Sequence, residues 1–236
     1  MKPYYEHAGI TIYHGDCREV LPQLKADAVI TDPPYNCGKN YGVFKDNLSD
    51  TEYRAFMKEV IAMSFSAAPN QAWVAPRYKL DFFLPLFPGH HLVIVRRGAG
   101  GPFRGGWSDQ FEIAIAVGKP SHCIPDLWDD VRLKGEGYFF REETFGHPGY
   151  TPVQIMQRFT SVFAEKILID PFCGTGTALR AAKDLGKRGI GIEINEAYCE
   201  IAAKRMAQEV LFGAPELTKA EQTSTNNARA TLSRRP

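Results

Sequence analysis

Between Lys166 and Ile194 the chain reads as strand, glycine-rich turn, helix, strand, and no other stretch limits its fold as tightly. Lys166 to Asp170 is a short aliphatic run of strand character. Phe172 to Thr177 is a turn containing Gly174 and Gly176. Ala178 to Leu185 has helical character and is closed by Gly186, the residue type that most readily adopts the left-handed conformation after a helix. Arg188 to Ile194 is again a strand. Two strands joined through a helix pair in parallel, so this unit calls for a parallel sheet covered by helices.

The rest of the chain fits that frame. Strand-like runs recur at Gly9 to His14, Asp27 to Thr31, Ala72 to Ala75, Leu92 to Val95 and Phe111 to Val117. With the two runs above they predict a seven-stranded, mostly parallel, doubly wound α/β sheet with helices on both faces. Tyr53, Phe56, Met57, Val60 and Ile61 share one face of a helix that Asp50 or Thr51 would cap. Ile155, Met156, Phe159, Val162 and Phe163 mark another, with Thr151 as N-cap and Pro152 in the first helical position. A final helix spans Ala197 to Phe212. Long loops run from Asn36 to Asp50 and from Arg96 to Trp107, and Gly118 to Gly149 has no clear period. The expectation is one domain, 1–212, with an insertion at about 96–149 and a mobile tail from 213 to 236.

Composition narrows the function classes. Hydrophobic residues make up 44% and charged residues 23%, the balance of a globular protein. No apolar run approaches the roughly 20 residues of a membrane span, and Met1 to His7 is too polar and aromatic for a signal peptide. The expected location is cytoplasmic. Cys17, Cys37, Cys123, Cys173 and Cys199 have no Cys-x-x-Cys spacing, and the six histidines no metal-ligand spacing, so free thiols and no metal are expected. A net charge of +1 excludes a generally basic coat but leaves room for a local basic patch.

Two motifs sit at strand ends, where ligands bind in such sheets. In Asp170-Pro-Phe-Cys-Gly-Thr-Gly-Thr177 the glycines permit a tight turn and a close backbone approach to a ligand. Glu193 ends the following strand, where an acidic residue can accept hydrogen bonds from both hydroxyls of a ribose. A dinucleotide fingerprint would need glycine at Leu179, and there is no Lys-Ser/Thr phosphate loop. A nucleoside with a small charged tail fits better than a pyrophosphate, and S-adenosylmethionine is the commonest one. The second motif is Thr31-Asp32-Pro33-Pro34-Tyr35. Its prolines have fixed φ and no N–H, which leaves a stiff cluster of acceptors beside one carboxylate. Such a cluster suits a group with two hydrogens on one nitrogen, the amine of adenine or cytosine. Tyr35 offers a surface on which a base can stack.

Together, Asp32-Pro-Pro-Tyr35 and Phe172-x-Gly174-x-Gly176 resemble the amino-methylating DNA methyltransferases that use S-adenosylmethionine. The catalytic motif comes first and the cofactor motif second, which is similar to the beta-class arrangement. The resemblance covers nearly all of Tyr4 to Ala207 and implies a Rossmann-like methyltransferase fold. It implies adenine as the target, since the cytosine-amine enzymes more often carry Ser in place of this Asp. Asp32, Pro33, Pro34 and Tyr35 would then hold the target base. Phe172, Gly174, Gly176 and Thr177 would line the cofactor, with Asp170 near its methionine part, Glu193 on its ribose and Asp16 at its adenine. The family's His-Pro-x-Gln-Lys-Pro stretch is here His147-Pro-Gly-Tyr-Thr-Pro152, without the Gln-Lys pair.

For such an enzyme the partner is DNA, with the target base flipped out of the duplex or single-stranded. Arg96, Arg97 and Arg104, in a Gly-rich loop, and Lys39 and Lys45, after Tyr35, are the expected phosphate contacts. Tyr138-Phe139-Phe140 reads as local packing rather than a base platform. The insertion is small for a stringent recognition domain, so a short target or a homodimer is expected. Restriction-modification is one expected setting. Cytosine-amine, RNA and protein-amide methylation are the alternatives, as is a non-catalytic module that keeps the fold.

Overall fold

The computed structural model describes residues 1–96, 103–104, 107–108, 111–129 and 151–208. The first half contains β1 (Tyr5–His7), β2 (Ile10–His14), α1 (Cys17–Val20), β3 (Ala28–Thr31), β4 (Asn40–Tyr41), β5 (Phe44–Lys45), α2 (Asp50–Ala67), β6 (Asn70–Ala75), α3 (Leu80–Phe83) and β7 (His91–Arg96). The second half contains β8 (Phe103–Arg104), β9 (Trp107–Ser108), β10 (Phe111–Val117), β11 (Leu127–Trp128), α4 (Val153–Phe163), β12 (Ile167–Asp170), α5 (Thr177–Asp184), β13 (Arg188–Glu193) and α6 (Glu196–Ala207).

Nine strands form one sheet in the order β1-β2-β13-β12-β3-β6-β10-β7-β11. The seven expected strands are its body, and β1 and β11 are short additions at its two edges. From β2 to β6 all neighbours are parallel, and β10 runs antiparallel between β6 and β7. The mixed, doubly wound α/β architecture is therefore as expected. β4–β5 and β8–β9 are separate two-stranded pairs.

The side-chain period of two sends alternate residues of each strand to opposite faces. On one face Ile10, Ile12, Ile30 and Val74 bury against α4, α5 and α6, with Phe159 and Met206 at 0% exposure. On the other, Val29, Trp73, Ile115 and Ile169 bury against α2 and α3. β3 is buried along its whole length, as a strand covered on both faces must be.

The order places β12 between β13 and β3. After β3 the chain leads to β6 on one side, and after β12 it leads through α5 to β13 on the other. The carboxyl ends of β3 and β12 thus flank the point where the winding reverses, the usual ligand crevice of an open α/β sheet.

Three local expectations change. α2 is capped by Ser49, whose hydroxyl accepts from the Glu52 N–H while the Glu52 carboxylate accepts from the Ser49 N–H, so Asp50 and Thr51 lie inside the first turn. α4 begins at Val153 with Pro152, not Thr151, at the cap and no side-chain cap bond, because proline carries no polar side-chain group; the Thr151 hydroxyl bonds to Asp32. The loop after Tyr35 contains the β4–β5 hairpin. Gly186 closes α5 with φ +65°, as read. The expected extension of the last helix to Phe212, the tail from 213, the Tyr138–Phe140 group and most of the insertion lie outside the described residues. Among those described, no helix is long and apolar enough to cross a membrane.

Candidate active site

The two motifs meet through a buried hydrogen bond. Thr31, the last residue of β3, donates its hydroxyl to Asp170 Oδ1 at 2.6 Å, and the Phe172 N–H donates to the same oxygen at 3.0 Å. Asp170 ends β12 and is 3% exposed. Burial pushes its carboxyl up to about 7, the two donors oppose that, and the charges of Asp32 and Glu193 add to it.

Asp32 follows Thr31 directly. The Tyr35 hydroxyl donates to its Oδ1 at 2.6 Å, and the Thr151 hydroxyl donates to its Oδ2 at 2.5 Å. Burial, then the Asp32 charge, holds the Tyr35 phenol well above its usual range, so it remains a donor. The Tyr53 hydroxyl of α2 donates to the Pro34 carbonyl at 3.0 Å, which braces the proline pair from the helix behind it.

The glycine turn is tied to β13. Gly174 has φ +52° and its N–H donates to Glu193 Oε2 at 2.7 Å, while the Asn195 N–H donates to Oε1 at 2.8 Å. Burial raises the Glu193 carboxyl and these N–H groups partly offset it. The Arg205 guanidinium of α6 donates to the Thr175 carbonyl at 2.5 Å and holds the far side of the turn.

A cleft of ≈ 520 Å³ opens at these strand ends. It is lined by Asp32, Pro33, Pro34 and Tyr35 of the Asp-Pro-Pro-Tyr motif, by Phe172 and Gly174 of the glycine turn, and by Glu193. Asp16 and Lys39 also line it. An adjoining cavity of ≈ 40 Å³ is bounded by Asp32, Thr151, Asp170, Phe172 and Thr177. Gly176 borders neither. Its φ is +85°, and a Cβ there would lie 3.2 Å from Ala202 Cβ, so its place is against α6. Asp16 caps α1 and takes a bidentate contact from Arg18, whose hydrogen bonds hold its carboxyl below the usual range. Lys39 Nζ lies 5.8 Å from the Tyr35 ring centre. Arg96 ends β7, exposed and outside the cleft lining. Arg97 is outside the described residues, and for Lys45 and Arg104 only the strand backbone is described.

Several residues of the site carry only a weak sequence signal. Thr31 reads as the head of the Asp-Pro-Pro-Tyr motif with no role of its own, Tyr53 as a helix position, and Thr151 as a cap within the altered His147–Pro152 stretch. The hairpin loop is organised by Asp46, 2% exposed, whose carboxylate accepts from the N–H groups of Asn36, Cys37 and Lys39 at 2.7–3.0 Å. Asn195 Nδ2 donates to the Tyr41 carbonyl at 2.8 Å and ties that hairpin to the start of α6. Phe56 of α2 meets Phe172 edge-on at 6.0 Å, and both line the cleft. The one legible hint was the helical periodicity that placed Tyr53 and Phe56 on the inward face of α2.

The chain is similar to known proteins in sequence and in fold. The N6/N4 methylase family, described as "DNA methylase", matches residues 108–204. The type II methyltransferase M.ScaI of Streptomyces caespitosus is 28% identical, over 88% of this chain and 84% of its own length. The DNA adenine methyltransferase YhdJ of Escherichia coli K12 is 23% identical, over 92% of this chain and 89% of its own. Among solved structures, the PvuII cytosine-N4-specific DNA methyltransferase superposes with TM-score 0.68 at 16% identity, over 96% of this chain and 94% of its own. The M1.HpyAVI–SAM complex superposes with TM-score 0.63 at 24% identity, over 84% of this chain and 100% of its own. The fold is the Rossmann-like fold of these enzymes, and the sequence matches support a DNA methyltransferase of the N6/N4 class.

Proposed function

We propose that the chain transfers a methyl group from S-adenosylmethionine to the exocyclic amine of adenine in DNA. The observation that carries this reading is the single cleft shared by Asp32-Pro-Pro-Tyr35 and by Phe172, Gly174 and Glu193. Its volume falls within the roughly 300–1,000 Å³ of cofactor and small-ligand sites. Its donor set fits an adenosyl group with a charged tail. Glu193, held by two backbone N–H groups, faces the cleft as an acceptor for ribose hydroxyls, and Asp16 sits where the adenine would lie. Asp170 and Phe172 border the small adjoining cavity, which suits the methionine part. When bound, S-adenosylmethionine supplies an activated methyl group on a sulfonium.

The chain's own part is orientation. The adenine amine is a poor nucleophile because its lone pair is delocalised into the ring. Acceptance of its two hydrogens by Asp32 and the Pro33 carbonyl favours a pyramidal nitrogen with a directed lone pair. Asp32 need not be a strong base, since the amine becomes acidic only as it is alkylated. Once the methyl carbon has passed from sulfur to nitrogen, the proton would pass through Asp32 to solvent, leaving S-adenosylhomocysteine as the second product. The target base must leave the stack or come from a single strand. Lys39 at the cleft, with Arg96, Arg97, Arg104 and Lys45, would contact phosphates, and the segment around 96–149 would read the target, alone or in a homodimer. Type II restriction-modification is a fitting setting.

Asp32→Ala is expected to abolish methyl transfer to DNA while S-adenosylmethionine binding by calorimetry persists. Wild-type activity in that variant would sink the assignment. Digestion of methylated DNA to nucleosides should yield N6-methyladenine. N4-methylcytosine would move the reading to the cytosine amine, and label incorporated into RNA or protein instead of DNA would overturn it.

A further inference from the structure

We infer that Thr151 is the positioning residue that sets the orientation of Asp32, an inference that rests on the methyltransferase reading of the cleft. Thr151 stands two residues before α4, outside the N-cap position that Pro152 occupies, so its hydroxyl is not a cap of that helix. Its hydroxyl reaches across 119 residues of sequence and donates to Asp32 Oδ2 at 2.5 Å.

The geometry suits positioning. Tyr35 grips Oδ1 and Thr151 grips Oδ2, so the carboxylate cannot turn about its Cβ–Cγ bond without breaking a charge-assisted hydrogen bond. Thr151 is only 9% exposed, and its β-branched side chain has few χ1 choices, so the donor is pre-aimed. The two donors come from separate parts of the chain: Tyr35 from the loop after β3, and Thr151 from the segment leading into α4. A carboxylate oxygen can accept more than one hydrogen bond, so the hydroxyl of Thr151 does not compete with the target amine. Thr151 also borders the small cavity that contains Asp170 and Phe172, which links the target-amine acceptor to the cofactor side of the site.

The test compares Thr151→Val, which keeps the shape and loses the hydroxyl, with Thr151→Ser, which keeps the hydroxyl. Both are made in the full chain, alone and combined with Asp32→Asn. Thr151→Val should lower kcat about 10- to 100-fold, the scale of a misplaced catalytic group, with KM for S-adenosylmethionine within about twofold. Thr151→Ser should restore kcat to within about threefold of wild type, and in the Asp32→Asn background Thr151→Val should add no further loss. A Thr151→Val enzyme with unchanged kcat would overturn the inference, as would equal losses in the Val and Ser variants. If Thr151→Val fails to fold, Thr151→Ala takes its place, and a wild-type kcat in that variant overturns the inference. If Asp32→Ala is itself as active as wild type, the methyltransferase site falls and this inference with it. An inactive Asp32→Ala beside an active Thr151→Val removes the inference alone.

Discussion

At the scale of single residues the site is a set of carboxylates held by hydroxyl and N–H donors, and Asp170 shows what that costs the fold. Its carboxyl is raised by burial to about 7, against about 4 in an unfolded chain. Below about pH 4 both states are protonated, and between about pH 4 and pH 7 only the folded state keeps the proton. The stability that this group contributes is therefore full at low pH and lost as pH rises through that window. Asp170→Asn keeps an oxygen to accept from Thr31 and Phe172 and removes the titration. The thermal midpoint of the variant should fall less steeply than that of the wild type between pH 4 and pH 7. Parallel pH profiles for the two proteins would mean that Asp170 does not titrate in this range.

At the scale of elements the glycine-turn side of the cleft, where cofactor binding is proposed, depends on how closely that turn can lie against β13. Gly191 makes that approach possible. A Cβ at this position would meet Cys173 Sγ at 2.6 Å and Leu179 Cδ1 at 2.8 Å. The turn would have to lift off the strand, and the Gly174 N–H would move from Glu193 with it. Gly191→Ala should destabilise the protein by about 1–3 kcal/mol, measured by urea unfolding, and weaken S-adenosylmethionine binding in calorimetry. An unchanged unfolding midpoint would show that the contact is soft. The Asp32 side of the cleft is built differently. There the stiffness comes from Pro33 and Pro34, and α2 supplies the brace through Tyr53. The Ser49–Glu52 capping box fixes where α2 begins and so where Tyr53 projects.

At the scale of the whole molecule a net charge of +1 means that DNA affinity must come from the arrangement of charge rather than its total. Lys39 lies at the cleft over the Tyr35 ring, near where a target nucleotide would enter. Lys39→Ala should raise the DNA dissociation constant and shallow its log–log salt dependence by about 0.9, the share of one phosphate contact. An unchanged slope would take Lys39 out of the phosphate contacts.

The same scale separates what could be read from sequence and what could not. The α/β class, the seven strands, the two motifs at strand ends and the glycine that closes α5 were all legible. Each is a local pattern, since periodicity, turn chemistry and capping depend on residues within a few positions of each other. The edge strands β1 and β11 were missed because two or three residues carry no period. Ser49 as the cap of α2 was missed by one position, a shift that local signals do not resolve. What only the tertiary structure decided is which distant residues meet. Thr31 reaches Asp170 across 139 positions and Thr151 reaches Asp32 across 119. Both contacts follow from the order that seats β12 beside β3 and brings the start of α4 to their carboxyl ends. That order is set by which apolar faces bury against each other, a property of the packed chain and of no single stretch of it.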